Sequence, residues 1–506
     1  MGKLLFCTST FFTLCSALFP LCSILFYDIK SIERCDCMQT IHYPVKNRKL
    51  DDVVNQNALN LLVSQWENWQ QGGGVFGRLN LHPCWGTASV LDRNYQGETM
   101  CFIAGHTRIV RRLYDRTKNP KWLALVNAMI SHVLYLQDPC GGFIHSSAEF
   151  EPTYDTRGCP IHFFWPIIAF CEYYEWEHAD ATLKALIPSA VERHFDYMVK
   201  EIWQIGCGNP YKNYRPLPFP GWCGVTNQDL LATAALALCM KVFGRKEQYE
   251  TYGKPVLDYY LSEEYYYEQL GLFERGDGKN FAERTVYYDI ILESLEMIYS
   301  VTGEQRLMDV YDNVTAHLFD ALFVGDDGLT YLARGAKTDE FDKSKVYGWE
   351  YGAIAFNGYP ALITHMQHHL NRHPDDKKQA KLNDLKNTLA AYVFADGSIP
   401  LGIFNPNPLF TVTSGGPEAG GWISFIMDYL GDDWTDPTPV AVPAIHRTHK
   451  NFTWKQNGAY WSIETDGVRQ YAGYSRVTNG IVKGEGEPVT GSFATLDSAD
   501  VIEIID

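Results

Sequence analysis

Several motifs that would identify a reaction are missing from this sequence of 506 residues. It contains no HExxH motif and no CxxC pair, which argues against a zinc site, and no GxSxG motif of a serine hydrolase. The pairs Asp326-Asp327 and Asp432-Asp433 do not extend into the DDxxD or DxDD runs expected of terpene cyclases. We therefore predict neither a metal ion nor a cofactor.

Positive charge is also scarce. The chain has 43 Lys and Arg against 60 Asp and Glu, a net charge of −17. A nucleic-acid-binding protein needs a basic surface to neutralise phosphates, and no basic stripe is present, so no nucleic-acid partner is expected. Aromatic residues are plentiful at 14%, with 13 Trp and 31 Tyr. They fit equally a bulky core and a cleft whose flat apolar faces stack on sugar rings.

Cysteine is absent after residue 239. Of the 13 cysteines, three lie in the apolar N-terminal segment and ten follow it. Four lie in Gly/Pro-rich loops where disulfides form in an oxidising compartment: Cys140, Cys159, Cys207 and Cys223. Three lie in apolar helical stretches and are predicted to be buried thiols: Cys101, Cys171 and Cys239.

The N-terminal segment is strongly apolar. Residues 4–27 carry no charge and are long enough to span a bilayer. No clear cleavage site follows, so residues 1–30 are predicted to be either a signal peptide or a signal-anchor. The sequons at Asn313 and Asn451 agree with entry into the secretory pathway. We expect a secreted or membrane-anchored protein whose catalytic domain is extracytoplasmic or lumenal.

Helical periodicity organises the middle of the chain. Apolar residues recur with a 3.6-residue period in twelve stretches, which are residues 55–70, 99–117, 120–136, 162–177, 179–203, 226–243, 247–269, 282–302, 304–321, 350–370, 376–392 and 419–430. Short and long connections alternate, so the helices pair into six hairpins. Helices that follow long loops start 56 to 69 residues apart, which is the period of one hairpin plus a loop.

Closing the six hairpins into a ring pairs helix 55–70 with helix 419–430 and leaves no edge. Residues 50–431 are thereby predicted to form an all-α (α/α)₆ toroid. The turns that end outer helices repeat the same chemistry, as in Asp138-Pro139-Cys140-Gly141-Gly142-Phe143 and Ala395-Asp396-Gly397-Ser398. This pattern resembles the six-hairpin glycosidase superfamily of glycoside hydrolases and related polysaccharide lyases. The resemblance implies a carbohydrate substrate, an oligosaccharide or a polysaccharide, in a central cleft.

The composition of the sequence changes after Gly431. Residues 432–446 are rich in Asp, Pro and Thr and are predicted to be a linker. Within residues 445–506, four segments then alternate like strands and are separated by Asn-Gly and Asp-Gly turns: 451–456, 459–465, 469–475 and 480–484. We predict a short β-rich extension that packs on the toroid. Toroidal lyases carry a far larger β-domain at this position, so the small size weakens the match to a lyase.

Hydrolysis of a sugar bond requires two carboxyl groups, one as acid and one as base or nucleophile. Three carboxylates fall at predicted starts of inner helices, close to aromatic residues, and are the predicted catalytic residues: Asp229, Glu283 and Glu350. An acidic residue at a helix start also interacts favourably with the helix dipole. A purely structural role therefore remains open for each.

The predicted substrate-binding residues are aromatic platforms and polar groups in or beside the long loops: Tyr154, Arg157, His162, Trp165, Trp222, Asn227, Arg284, Tyr287, Trp349 and Trp422. Among them, Tyr154, Arg157 and His162 suit elimination, which needs a base and a cation that neutralises a uronate carboxylate. Arg275, Arg284 and Arg334 are further candidates for binding such a carboxylate in bidentate fashion.

The predicted function is a glycoside hydrolase that uses paired carboxylates in a central cleft. A polysaccharide lyase acting on a uronate-containing glycan by β-elimination is the first alternative, and a non-catalytic carbohydrate-binding protein is the second. The sequence does not indicate the sugar, the linkage or the oligomeric state. Membrane anchorage through residues 4–27 stays open.

Overall fold

In a computed structural model, twelve helices of seven residues or more build the main body of the described part of the protein. The structure describes residues 38–70, 99–135, 137–143, 160–203, 221–275, 282–338, 344–413, 421–458, 460–474, 477–478, 481–482 and 496–506. The helices are α1 Gln56–Gln70, α2 Thr99–Thr117, α3 Pro120–Tyr135, α4 Pro160–Glu175, α5 Ala181–Glu201, α6 Thr226–Phe243, α7 Lys254–Tyr260, α8 Tyr288–Thr302, α9 Gln305–Leu318, α10 Tyr359–Arg372, α11 Asp376–Ala391 and α12 Trp422–Leu430. The predicted bounds of helix α6, residues 226 and 243, agree with the structure.

The even-numbered helices form an inner ring. Helix α4 packs between α2 and α6, α8 packs against α6 and α10, and α10 packs against α12. The ring closes between α12 and α2, because Arg112 Nη2 lies 2.6 Å from Asp428 Oδ1. Helix α12 also packs on α1, the pair predicted to close the toroid. The predicted (α/α)₆ toroid is confirmed.

Three predicted helices were wrong in part. The helix predicted at 282–302 begins at Tyr288, after a 3₁₀ turn at Thr285–Tyr287. The stretch 247–269 is interrupted by a π-helical turn at Tyr249–Gly253, and only Lys254–Tyr260 continues as α-helix. The inner helix predicted from residue 350 begins at Tyr359 instead. Its predicted first residue, Glu350, instead ends strand Val346–Glu350, which pairs with Gly335–Thr338. Long-range strand pairing therefore overrides the local helical pattern there.

Helix α6 shows why the inner ring is stable. Every described residue from Thr226 to Cys239 is buried, so this helix is enclosed on all sides by its neighbours. Gly244 ends the helix in the left-handed conformation, with φ of 70°, and its N–H donates to the carbonyls of Cys239 and Met240. Burial of this many apolar side chains is the main stabilising contribution of the toroid.

The outer-helix turns also repeat as predicted. Positive φ angles occur at Gly141, Gly271, Gly328 and Gly397. At Gly141 a side chain would be excluded, because a Cβ atom would lie 2.0 Å from the carbonyl oxygen of Arg193. The sequence echoes that indicated a repeat are therefore turns with a shared backbone conformation.

Short strands accompany the helices. They are β1 Gln39–Tyr43, β2 Tyr266–Tyr267, β3 Leu272–Phe273, β4 Leu322–Val324, β5 Thr330–Leu332, β6 Gly335–Thr338, β7 Val346–Glu350, β8 Ile445–His449, β9 Phe452–Asn457, β10 Tyr460–Thr465, β11 Val468–Tyr474, β12 Val477–Thr478, β13 Ile481–Val482 and β14 Val501–Ile505. One sheet has six strands in the order β1-β14-β8-β9-β10-β11, with β1, β14 and β8 parallel. The C-terminal extension therefore shares a sheet with a strand that precedes the toroid.

Residues Met38–Asp506 form one compact unit. The sheet has its own apolar core, in which Trp454 stacks on Trp461 at 5.3 Å between ring centroids. Within the described part of the chain, no helix is both long and apolar enough to cross a membrane. The predicted leader or anchor at residues 1–30 lies outside the described residues.

Candidate active site

Arg108 places a charge inside the inner ring. It lies on α2, and its guanidinium donates to Glu172 on α4 and to Glu293 on α8. Helices α2 and α8 are three places apart among the six inner helices, so a contact between them crosses the lumen of the ring. We call Arg108, Arg111, Glu172 and Glu293 the lumen network.

Glu172 is held by two arginines. Arg108 Nε lies 2.8 and 2.9 Å from its two carboxylate oxygens, and Arg111 Nη2 lies 2.6 Å from Oε2. Burial alone would raise the pKa of the Glu172 carboxyl, but the two guanidiniums lower it below its ordinary value. Glu172 is therefore an ionised carboxylate at neutral pH.

Water reaches this network. The side chains of Arg108, Glu172 and Glu293 retain 28%, 20% and 30% of their exposed surface. Trp165 on α4 packs beside the network but is only 8% exposed, with Arg108 Cζ 6.0 Å from its ring centroid. The lumen thus holds charged groups in a space that is open to solvent, as a sugar-binding cleft requires.

Asp289, beside the lumen network on α8, is a carboxyl group whose pKa is strongly raised. It lies in the first turn of α8, partly exposed, and Ile290 N–H donates to its Oδ1 at 2.6 Å. Burial raises the pKa of Asp289 from an ordinary 3.8 to about 7, and the negative charge of Glu293 adds to the rise. Asp289 and Glu293 are four residues apart on one face of α8, so a group that holds a proton near neutral pH adjoins an ion-paired carboxylate.

Glu283 lies just before α8 rather than in it. Ala282 forms a bridge to Glu274, and Glu283 N–H donates to the Phe273 carbonyl at 2.6 Å. Its carboxylate accepts from Arg275 Nη1 at 3.1 Å and has no exposed surface. Glu283 is therefore a buried, arginine-paired carboxylate at the entrance to α8.

Three arginines and Tyr287 gather around this entrance. Arg275 Cζ lies 5.1 Å from the Tyr287 ring centroid. The carbonyl of Arg334 accepts from Thr285 N–H at 2.9 Å, and Arg334 N–H donates to the Glu350 carbonyl at 2.7 Å. Burial lowers the pKa of Arg334, and the charge of Arg284 lowers it further. We call Arg275, Arg284 and Arg334 the arginine rim.

The rim gives some predicted site residues a common location. It places Glu283, Arg284, Tyr287 and Glu350 around the start of α8. Glu350 is partly exposed at the end of β7, and Trp349 beside it is partly buried against the core. The prediction that Glu350 opens an inner helix was wrong, because that residue ends a strand.

Asp229 is placed differently. Its side chain accepts from the N–H groups of Cys223 and Gly224 at 3.0 and 3.1 Å and from Tyr260 Oη at 3.1 Å. Burial raises the pKa of Asp229 to about 6, although these hydrogen bonds oppose the rise. Because Asp229 has no exposed surface, contact with a substrate would require the 222–224 turn to open.

Three residues that were predicted to contact substrate are buried in the structure, so these predictions were wrong. Trp222 is fully buried between Phe164 and Trp203, with ring centroids 5.4 and 4.7 Å away. Trp422 is fully buried, and its Nε1 donates to the Gly397 carbonyl at 2.9 Å. Both indoles therefore fill the core and offer no face to a sugar. Asn227 is 3% exposed on α6 and is likewise enclosed.

Other sequence predictions lie outside the described side chains. Tyr154 and Arg157 lie outside the described residues, and of His162 the structure describes only the backbone, in α4. Cys159 and Cys207 also lie outside them. Of the loop cysteines, Cys140 is exposed and Cys223 is buried, with its Sγ 3.2 Å from Asp229 Oδ1.

Sequence reasoning missed Arg108, Glu172, Asp289 and Glu293. Their helices were predicted, but charged residues in helix interiors are usually solvated surface groups. A signal was present in α8, where Asp289, Glu293 and Glu296 share one face of a helix already assigned to the inner ring. Acidic residues on that face have to point into the lumen or against a neighbouring inner helix.

An open cavity of about 420 Å³ lies away from these groups. Its lining comes from the C-terminal parts of α2 and α12, at the end of the ring opposite the arginine rim, and includes Arg112, Arg116 and Trp434. Arg112 and Arg116 are already paired with Asp428 and Asp432. The cavity is therefore a gap at the ring closure and adds nothing to the candidate site.

Sequence comparison identifies no relative. A scan against protein-family models gives no match, and a search of curated proteins gives none.

Comparison with solved structures gives several matches. The chain is similar to a sugar epimerase from a ruminal bacterium, with 13% identity and a TM-score of 0.51 over 77% of this chain and 98% of that one. An inactive variant of the α-1,6-mannanase GH76A of Salegentibacter sp. HEL1_6, in complex with α-1,6-mannotriose, matches with 13% identity and a TM-score of 0.47, over 74% and 99%. A polysaccharide lyase matches with 13% identity and a TM-score of 0.42, over 72% and 98%.

Proposed function

Because the chain has the (α/α)₆ toroid fold of the six-hairpin glycosidase superfamily, we propose that it is a carbohydrate-processing enzyme that hydrolyses a glycosidic bond in the lumen of its inner ring. The observation that carries the proposal is the pair of carboxyl groups on one face of α8. Asp289, with a pKa of about 7, is protonated in a large share of molecules at neutral pH. Glu293 is ion-paired with Arg108. Two carboxyl groups in different environments are what acid and base roles require.

In this mechanism Asp289 donates its proton to the leaving-group oxygen as the glycosidic bond breaks, and a water molecule attacks the anomeric carbon and gives its proton to the Glu293 carboxylate. Glu293 supplies the second carboxylate, and Arg108 fixes its position by bridging it to Glu172. Trp165 packs beside Arg108 and is only 8% exposed, so it supports the position of Arg108 rather than stacking on a sugar ring. The sequence candidate Glu350 then lies at the approach to the lumen, where it orients substrate rather than exchanges protons, and the buried Glu283 holds Arg275 in place there.

The arginine rim favours a second candidate reaction, β-elimination on a uronate-containing glycan. Arg275 and Arg334 lie on either side of the entrance to α8, and Arg284 is exposed there. Guanidinium groups bind carboxylates in bidentate fashion and stabilise the negative charge that develops in elimination. Tyr287, close to Arg275, is the candidate base for this reaction.

An activity screen separates the two reactions. Neutral and uronate-containing oligosaccharides are incubated with the wild-type protein and with Asp289→Asn, and reducing ends and the absorbance of unsaturated uronates are followed. Hydrolysis predicts new reducing ends without that absorbance, abolished in Asp289→Asn. New absorbance would indicate elimination instead. Binding without either product would overturn both reactions and leave a carbohydrate-binding protein.

We also propose that the chain enters the secretory pathway through residues 4–27. Its two sequons then differ in accessibility. Asn451 is exposed in the turn between β8 and β9, whereas the Asn313 amide donates to Tyr266 Oη at 2.5 Å and to the Glu268 carbonyl at 2.7 Å. In a secreting cell, Asn451→Gln should remove the mobility shift caused by deglycosylation and Asn313→Gln should leave it. Retention of an unglycosylated chain in the cytosol would contradict the proposal.

A further inference from the structure

Helix α10 and the residue that follows it carry four histidines, which belong to two separate clusters. They are His365, His368, His369 and His373. His365 and His368 face Glu296 on α8, whereas His369 and His373 face Asp312 on α9. In each cluster one nitrogen or oxygen atom per residue lies within 4.8 Å of the other two. Two imidazoles and one carboxylate form a common ligand set for divalent transition metals.

We propose that Glu296, His365 and His368 form a binding site for a zinc-like divalent cation that joins inner helices α8 and α10. Glu296 Oε2 lies 3.8 Å from His365 Nδ1, and Glu296 Oε1 lies 3.9 Å from His368 Nδ1. Ligand atoms about 2.0–2.1 Å from a tetrahedral ion lie roughly 3.3 Å from one another. Small side-chain rotations are therefore enough to close the observed spacing around an ion.

The surroundings of the cluster suit a metal ligand. The His365 ring also hydrogen bonds to the backbone of Asp289, and ligating histidines usually anchor their second nitrogen in this way. Burial lowers the pKa of His365, which favours the neutral imidazole that a metal requires.

Tyr311 completes the site. Its hydroxyl lies 2.8 Å from His365 Nδ1 and also hydrogen bonds with Glu296. When an ion takes the His365 nitrogen, the Tyr311 hydroxyl keeps a partner in the Glu296 carboxylate. Glu296 and His368 retain 34% and 48% of their side-chain exposure, so an ion can enter from solvent.

The second cluster is a built-in control. Arg372 Nη2 donates to Asp312 Oδ1 at 2.7 Å and Nε donates to the same oxygen at 3.3 Å. His369 Nδ1 and His373 Nε2 each lie 3.1 Å from the same carboxylate. A cation at Asp312 would have to displace a guanidinium that already neutralises it. The Glu296 cluster therefore binds an ion in preference to the Asp312 cluster.

The test uses the full chain after treatment with a chelator. Co²⁺ is titrated in and its visible absorption is followed, with Zn²⁺ added afterwards as a competitor. We expect one saturable tetrahedral Co²⁺ spectrum that Zn²⁺ abolishes and an unfolding temperature that rises when Zn²⁺ binds. His368→Ala should weaken binding by about 100-fold or more, and Tyr311→Phe, which removes only an outer partner, by about 10-fold.

His373→Ala is the matched control and should leave the spectrum and the affinity unchanged. His368 is half exposed, so His368→Ala is expected to fold, and Glu296→Gln provides a second variant that keeps the side-chain shape. The proposal is overturned if the wild type binds no Co²⁺, if His368→Ala and Glu296→Gln bind it as tightly as the wild type, or if His373→Ala is the variant that loses it.

Discussion

Two networks of arginine and carboxylate groups lie inside this protein, and they differ in access to water. In the first, Arg447 on β8 contacts Glu503 on β14 at 2.8 Å and Asp396 at 3.5 Å, and all three side chains are 0–1% exposed. Arg447 Cζ also lies 3.6 Å from the ring centroid of Phe394. We call this set the sealed network. The second is the lumen network, in which the side chains of Arg108, Glu172 and Glu293 are 20–30% exposed.

The difference separates structural charge from charge available to a substrate. The sealed network joins the six-stranded sheet to the turn after α11, with Tyr43 Oη also donating to Glu503 at 2.8 Å. Nothing larger than water could reach it without unfolding the sheet. The lumen network has similar chemistry, but solvent and therefore a polar ligand can reach it. Solvent access, rather than the presence of an ion pair, distinguishes the candidate active site.

The largest expected effect is on stability. Arg447→Ala leaves two buried carboxylates without their cation and should lower the free energy of unfolding by about 3–5 kcal/mol. Arg108→Ala should cost clearly less, because water can solvate Glu172 and Glu293 and Arg111 still pairs with Glu172. Urea denaturation of both variants measures the difference. Equal losses would contradict the distinction between the two networks.

The next effect concerns the arginine rim. Arg284→Ala removes an exposed guanidinium from the entrance to α8 and should raise KM for a uronate-containing substrate by about 10-fold, because charged hydrogen bonds contribute about 1.5–3 kcal/mol. A neutral oligosaccharide should show no change. Arg193→Ala, on outer helix α5, is the control and should change neither. A uniform loss on both substrates would remove the rim from substrate recognition.

The smallest effect is at Asp229. The pKa of Asp229 is about 6 in the folded chain and 3.8 ordinarily. Between about pH 4 and pH 6 the folded state therefore binds a proton that the unfolded state has lost. The free energy of unfolding falls as pH rises through this range. Asp229→Asn has no carboxyl group to titrate at this position, so its unfolding free energy lacks this pH dependence. The difference in unfolding free energy between wild type and variant should therefore shrink over that range. Urea titrations at several pH values measure it. A constant difference would contradict the buried assignment.

The same substitution tests a sequence prediction. Because Asp229 holds the 222–224 turn from within the core, we expect Asp229→Asn to keep turnover within about threefold of the wild type. A loss of 100-fold or more in a folded variant would restore Asp229 as an acid or base.

The parts of the fold that were predicted correctly depend on local information. Helix α6 was predicted at both ends because an unbroken apolar run stops at Gly244, whose left-handed conformation ends a helix wherever it occurs. Glu350 was misplaced because its conformation depends on pairing with Gly335 in another strand. Strands β1 and β14 were missed for the same reason, since Gln39 pairs with Val501.

The candidate site was predicted less completely than the fold. Sequence reasoning found residues at helix starts, such as Glu283 and Arg284, because helix starts can be located from loops. It missed Arg108 because its role depends on α2 and α8 facing each other across the ring, which only the closed toroid establishes.

The central claim is that Asp289 is the proton donor of a carbohydrate-processing reaction in the lumen. The measurement that tests it most directly is kcat/KM against pH for the wild type, together with turnover by Asp289→Asn, on the best substrate of the oligosaccharide screen. We predict that wild-type activity falls as pH rises through about 7, where Asp289 loses its proton, and that folded Asp289→Asn loses at least about 100-fold. Full turnover by Asp289→Asn would contradict the account.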